Sequence, residues 1–221
     1  MNEIKGCIFD LDGVIVDTAH YHYLAWKRLA EELGYHLTEQ ENEQLKGVSR
    51  MESLERVLSL AGITLPKVEK KKLAERKNTW FREYVEAMTP GEIFPGVKQL
   101  IHDLKSTGIK VGLASSSKNA KRVVNLLQIE NEFEAIVDGN MISHTKPHPE
   151  IFLITARELG IDPSACVVIE DAEAGVEAAL SAGMKCIGIG SPELLQKANK
   201  IFSKTAQVKP STLQDLESVK N

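Results

Sequence analysis

Long hydrophobic runs are missing from this 221-residue sequence. Its apolar stretches are a few residues each, far short of the roughly 20 that a membrane-spanning helix needs. The opening Met1-Asn2-Glu3-Ile4-Lys5 is polar and has no signal-type apolar segment behind it, so a cytoplasmic location with no membrane partner is expected. Cysteine is scarce: Cys7, Cys166 and Cys186 are three, an odd number, at spacings that fit no metal or redox motif. Each lies in a short β-type apolar run and is expected to pack as a small buried hydrophobe. Nor does charge of one sign dominate, because 27 Lys and Arg stand against 31 Asp and Glu, a net charge of -4. That balance leaves no electrostatic footprint for nucleic acid. Low-complexity segments and internal repeats are absent. The 43% hydrophobic and 26% charged composition is ordinary for a globular protein and excludes a disordered tail or coiled coil as the main architecture.

What is present alternates. Ile4–Phe9, Lys110–Ala114, Ala135–Val137, Cys166–Ile169 and Lys185–Ile189 read as buried strands. Helical patterns fill the later gaps at Val97–Leu104, Asn119–Leu127, Glu150–Leu159 and Gly175–Ala182, several stopped by a glycine. Nearly unbroken apolar strands alternating with helices predict an α/β protein whose parallel sheet is covered on both faces. One long interval after the first strand breaks the rhythm and carries helical pattern only. Trp26, Leu29, Ala30 and Leu33 mark one apolar face, Thr38–Glu41 and Ser49–Glu52 read as capping boxes, and a polar helix is expected from about Val68 to Met88. The Lys67–Lys72 run is expected to be a solvated face of that helix.

In an open parallel sheet, ligands bind beyond the carboxyl ends of the strands. The residues found there are Asp10 and Asp12 after the first strand and Ser115-Ser116-Ser117-Lys118-Asn119 after the second. Lys146 follows the third strand, and Glu170-Asp171 follow the fourth. Each pattern alone has ordinary uses as a helix cap or turn, but together they converge on one rim. Asp10 and Asp12 leave the same face of an extended chain. Carboxylates gathered with Glu170 and Asp171 would repel one another unless a hard, oxygen-preferring cation joined them, and Mg²⁺ suits carboxylates plus a substrate phosphate. A carboxylate can attack phosphorus and form an aspartyl phosphate. A neighbouring Asp can move the proton of a hydroxyl, and Ser115 and Lys146 can hold the non-bridging oxygens.

Phe9-Asp10-Leu11-Asp12-Gly13-Val14, Ala114-Ser115-Ser116-Ser117, Lys146-Pro147 and Ile169-Glu170-Asp171 resemble, in order, the four motifs of the haloacid-dehalogenase-like phosphotransferases. The resemblance covers essentially the whole chain. It implies a Rossmann-like core, residues 1–16 and 94–221, with an all-helical cap, residues 17–93, inserted after the first strand. It also implies Asp10 as nucleophile and Mg²⁺ ligand, and Asp12 as general acid/base that lends its backbone carbonyl to the metal. Asp171 would be the further carboxylate ligand, with Glu170 beside it in a direct or water-mediated role. Ser115, Ser116 and Lys146 would bind the transferring phosphoryl group.

The cap pattern resembles the phosphosugar mutases of that family, in Leu45-Lys46-Gly47-Val48-Ser49-Arg50 with Ser53-Leu54, in Asp17-Thr18, in His22 with Trp26, and in Arg76-Lys77-Asn78. It implies a small phosphosugar as substrate. The reaction would be interconversion of β-D-glucose 1-phosphate and glucose 6-phosphate through β-glucose 1,6-bisphosphate, the activating intermediate. Gly47, Val48, Ser49, Arg50, Ser117, Lys118 and Asn119 would contact the substrate, Arg50 gripping the distal phosphate. Thr18, His22, Lys46 and Lys77 would couple cap closure to the placement of Asp12. Arg50 at the first turn of a helix opposes the macrodipole, which favours a bound anion as its reason. Trp26 is expected to be a packing residue, and His20 and His36 surface residues. Two departures from the family pattern, Glu150 in place of the usual Asp and Ser116 in place of a smaller residue, bear on fine tuning only. A monomer is expected. The alternatives are a sugar-phosphate phosphatase with the same core, or a non-catalytic phosphosugar-binding protein, against which the Asp10–Asp12 pair counts. Phosphonate cleavage is disfavoured because the cap pattern shows no Schiff-base lysine.

Overall fold

The computed structural model describes residues 3–45 and 48–217; Lys46 and Gly47 lie outside the described residues. Five strands stand where the apolar runs place them: β1 (Gly6–Phe9), β2 (Lys110–Ala114), β3 (Ala135–Val137), β4 (Cys166–Glu170) and β5 (Lys185–Ile189). A sixth, β6 (Lys200–Phe202), was not expected; it is a three-residue edge strand whose residues are all partly exposed, so its sequence carries little apolar signal. Among the described residues these strands form one parallel sheet in the order β3-β2-β1-β4-β5-β6.

Alternate residues of each strand enter opposite faces, as the period of an extended chain requires. Cys7, Phe9, Val111, Leu113, Val167 and Ile169 pack on one side. Ile8, Val168 and Cys186 pack on the other. The first face is covered by α5 (Val97–Ser106) and α6 (Ala120–Leu126), the second by α7 (Glu150–Leu159) and α8 (Glu173–Ser181). The three cysteines are buried and free, as expected. A last helix, α9 (Pro210–Glu217), lies outside the predicted set.

The interval after β1 is helical throughout: α1 (Ala19–Glu32), α2 (Glu39–Glu43), α3 (Arg50–Leu60) and α4 (Lys67–Val85). Alanine, Trp26 and leucine spaced along α1 give its buried stripe Ala25, Trp26, Leu29 and Ala30. Thr38 and Glu41 form the reciprocal cap expected of α2. At α3 only half the expected box forms. Ser49 accepts the Glu52 N–H, but the Glu52 carboxylate turns to Arg56, 2.7 Å away. The helix α4 ends at Val85, earlier than Met88; the Met88 N–H turns to the Val85 carbonyl at 3.0 Å, and the Thr89 N–H is taken by the Glu92 carboxylate at 2.8 Å. The chain enters and leaves these helices side by side, for Val16 and Ile93 form an antiparallel bridge and the Phe94 N–H donates to the Ile15 carbonyl at 2.8 Å. Among the described residues no helix is long and apolar enough to cross a membrane.

Candidate active site

The strand order reverses at β1, which lies between β2 and β4, and such a reversal opens a crevice at the carboxyl ends of the strands. Phe9 is in register with Leu113 and Ile169, so the next residue, Asp10, leaves the sheet level with Ala114 and Glu170. Its N–H is held by the Ile169 carbonyl at 2.9 Å. Asp10 Oδ2 accepts the Asp12 N–H at 2.9 Å, which folds the Asp-Leu-Asp segment back on itself. Ser115 Oγ, fully buried at the end of β2, donates to Asp12 Oδ2 at 3.4 Å and accepts the Ser117 N–H at 3.2 Å.

Lys146 lies wholly inside the protein between two carboxylates. Its Nζ is 2.5 Å from Asp10 Oδ1 and 3.0 Å from Glu170 Oε2. Burial alone would push this ammonium toward neutrality, but the charges of Asp10 and Glu170 outweigh it and raise the pKa above the usual lysine range. Glu170 is raised well above the ordinary carboxylate value by burial and by Asp10, against the opposing pull of Lys146. Asp12 is raised to about 7, first by burial and then by the charge of Asp10, with Lys146 opposing.

Two glycines let this cluster close. A Cβ on Gly13, whose φ is +79°, would lie 2.0 Å from Asp171 Oδ2. One on Gly175 would lie 2.1 Å from the Glu170 carboxyl carbon. With the backbone that close, Asp10, Glu170 and Asp171 each bring a carboxylate oxygen within 4.8 Å of the others. Three carboxylates against one ammonium leave an acidic, oxygen-only donor set, which fits a hard divalent cation.

A cavity of about 540 Å³ lies between this cluster and the helices, lined by Asp10, Asp12 and Asp171 of the sheet side and by Arg50 of α3. Val48, Ser49, Ser116, Ser117, Lys118 and Asn119 also line it. Helix and sheet meet directly where Asn119 Nδ2 donates to Asn78 Oδ1 at 2.8 Å. Arg50 Nη1 is 2.7 Å from the exposed Glu75, so the unfavourable helix position is answered by a carboxylate rather than by a bound anion alone. Burial lowers the Arg50 pKa, with the Glu75 charge opposing.

Lys77 is 2% exposed, not part of a solvated helix face. Its Nζ meets His22 Nδ1 at 2.7 Å and lies 4.6 Å from the centre of the Trp26 ring. His22 stacks on Phe81, with ring centroids 3.9 Å apart. Burial, then the charge of Arg50, holds the Lys77 pKa well below the usual lysine value, and burial and Lys77 likewise depress His22. Trp26 both packs and lines the cavity. Thr18 is fully buried, and its Oγ1 has no hydrogen-bond partner among the described residues. His20 and His36 are exposed, as expected.

Two features went unnoticed in the sequence. Glu75, the partner of Arg50, gave no signal, since contact between α3 and α4 alone brings it there. The burial of Lys77 and Asn78 was legible: they fall on the stripe Ala74, Lys77, Asn78, Phe81 and Val85 of α4, at helical spacing.

Fold and site together define an α/β enzyme with an acidic centre, suited to a divalent cation, beneath a helical cap. Residues 7–189 match the haloacid dehalogenase-like hydrolase family, and the chain belongs to it. It is 43% identical to the β-phosphoglucomutase of Bacillus subtilis over 93% of this chain and 92% of that one. A crystal structure of β-phosphoglucomutase from Clostridium difficile, 45% identical, superposes with a TM-score of 0.92 over 96% of each chain. A phosphorylated carbohydrates phosphatase of Thermotoga maritima is 34% identical over 83% of this chain and 84% of that one.

Proposed function

We propose that this chain interconverts β-D-glucose 1-phosphate and glucose 6-phosphate through β-glucose 1,6-bisphosphate. Residues 1–16 and 94–221 act as the catalytic core and 17–93 as the cap, in a cytoplasmic monomer. The observation that carries this reading is that one cavity is lined both by Asp10 and Asp12 after β1 and by Arg50 of α3. Such a space suits a sugar with a phosphate at each end.

Asp10, Asp171 and Glu170 would hold Mg²⁺, with the Asp12 backbone carbonyl. The ion supplies charge neutralisation for a phosphate approached by a carboxylate. Asp10 attacks phosphorus, the sugar oxygen leaves, and the phosphoryl group resides on Asp10. Asp12, fixed by its N–H to Asp10 and by Ser115, gives a proton to the departing oxygen and takes one from the next hydroxyl. Lys146 and Ser115 bind the non-bridging oxygens, with Ser116 beside them. The phosphoryl group passes to the free hydroxyl of the bound sugar, the bisphosphate reorients, and Asp10 takes the other end.

Arg50 holds the remote phosphate in either orientation, and Val48, Ser49, Ser117, Lys118 and Asn119 line the space between. The Lys46–Gly47 part of the loop belongs to the same proposal on sequence grounds. Thr18, His22 and Lys77 position the first helix against α4, and so set the closure that keeps water from phospho-Asp10. A phosphatase of the same family would need no second phosphate grip. The test is incubation with β-glucose 1-phosphate, Mg²⁺ and trace bisphosphate. Glucose 6-phosphate in excess of free phosphate supports the proposal, and stoichiometric glucose and phosphate overturn it.

A further inference from the structure

The loop that carries Lys146 bears a second group of ligating side chains on its outer side. His144, His148 and Glu150 each bring a ring nitrogen or carboxylate oxygen within 4.8 Å of the others. Both histidines are exposed, and their rings lie 4.6 Å apart at 32°. We propose that His144, His148 and Glu150 bind a transition cation of the Zn²⁺ class, separately from the carboxylate centre, and so tie the Lys146 loop to the start of α7.

The donor chemistry selects the ion. Two imidazoles and a carboxylate, with a water completing the shell, form a set that Zn²⁺ accepts. Mg²⁺ prefers oxygen ligands and competes poorly for imidazole. Glu150 is already oriented, since Oε1 accepts the Ser143 N–H at 3.0 Å and Oε2 the His144 N–H at 2.7 Å. Such outer bonds fix a ligand before the ion arrives.

His144 Nδ1 lies 2.8 Å from Glu150 Oε2, a contact that shares one proton. The ion takes the place of that proton, which moves to Nε2 of the ring, leaving neutral imidazole and carboxylate as ligands. With metal–ligand bonds of about 2.0–2.1 Å, tetrahedral neighbours sit about 3.3 Å apart, so the pair opens by only about half an ångström. His148 Nδ1 receives the Glu150 N–H at 3.3 Å, a long bond that is given up when the ring turns toward the ion. The ammonium of Lys146 points away, into its carboxylate partners.

The experiment titrates tag-free protein with Zn²⁺ by calorimetry in saturating Mg²⁺, and with Cu²⁺ by electron paramagnetic resonance. One Zn²⁺ should bind per chain, and Cu²⁺ should show hyperfine coupling to two imidazole nitrogens. His144→Ala and His148→Ala, each checked for folding by circular dichroism, should weaken binding by at least the roughly 10–100-fold that loss of an outer-shell partner costs. Binding should persist in Asp171→Ala, and Zn²⁺ should slow amide exchange across residues 143–150. Absence of Zn²⁺ binding in Mg²⁺, survival of binding in the double histidine variant, or its loss in Asp171→Ala overturns the proposal.

Discussion

Arg50→Ala separates sugar transfer from hydrolysis. Arg50 lines the same cavity as Asp10, from α3, and in this conformation its charge is met by Glu75 at 2.7 Å, a partner 69% exposed. A surface pair of that kind is worth about 0–1 kcal/mol, so the variant should fold normally. A charge-assisted contact to a phosphate is worth about 1.5–3 kcal/mol. At 1.36 kcal/mol per tenfold, mutase turnover should fall by roughly ten- to a hundredfold or somewhat beyond. Attack by water on phospho-Asp10 makes no use of Arg50, so phosphate release should change much less and the ratio of free phosphate to glucose 6-phosphate should rise. Glu75→Gln is the converse perturbation. It frees Arg50 and should lower KM for the bisphosphate by at most about fivefold, the value of the pair it removes. Both are read by ³¹P NMR of products with a coupled assay for glucose 6-phosphate. An unchanged product ratio in Arg50→Ala would refute the second phosphate grip and favour a phosphatase.

Asp10→Asn should abolish turnover while circular dichroism and melting stay native-like, and retained turnover would exclude a covalent route. Asp12→Asn should slow the reaction by roughly 10²–10⁴-fold, with Mg²⁺ affinity, measured by calorimetry, falling less than in Asp171→Ala. Gly175→Ala places a Cβ against Glu170, 2.1 Å from its carboxyl carbon. It should destabilise the fold by about 1–3 kcal/mol in urea melts and weaken Mg²⁺ binding, whereas a neutral outcome would mean that Glu170 is free to move. Lys77 has a depressed pKa, so the unfolded chain binds a proton that the folded chain releases. Its contribution therefore makes stability rise with pH up to the ordinary lysine value, about 10.4. Lys77→Met should flatten that slope in urea melts at a series of pH values, and an unaltered slope would contradict the burial argument.

The sheet was legible because its strands are buried on both faces, which writes them as continuous apolar runs between glycine-stopped helices. β6 was not, since a three-residue edge strand whose residues are all partly exposed has no such run. The candidate site's position was legible for a related reason. Asp10, Ser115 and Glu170 adjoin strand ends, so knowing the strands locates them, and Lys146 follows from the loop between β3 and α7. Contacts made by packing one helix on another left less trace. Arg50–Glu75 and Asn78–Asn119 join residues far apart in the chain whose polar character suggests only solvent. On α4 the helical spacing alone marks Lys77 as part of the buried stripe, against Trp26 and Phe81, in spite of the charge-rich sequence around it. The direct carboxylate answer to Arg50 was likewise invisible until α3 and α4 were seen together.

In the proposed reaction the phosphoryl group on Asp10 is delivered to a sugar hydroxyl rather than to water. A rapid-quench experiment tests it most directly. Protein and Mg²⁺ are mixed with ³²P-labelled β-glucose 1,6-bisphosphate, then chased with unlabelled β-glucose 1-phosphate. Acid-stable label should appear on a peptide containing Asp10 and be chased into sugar phosphates faster than inorganic phosphate appears. Label that leaves only as inorganic phosphate, at a rate indifferent to the chase, would contradict it.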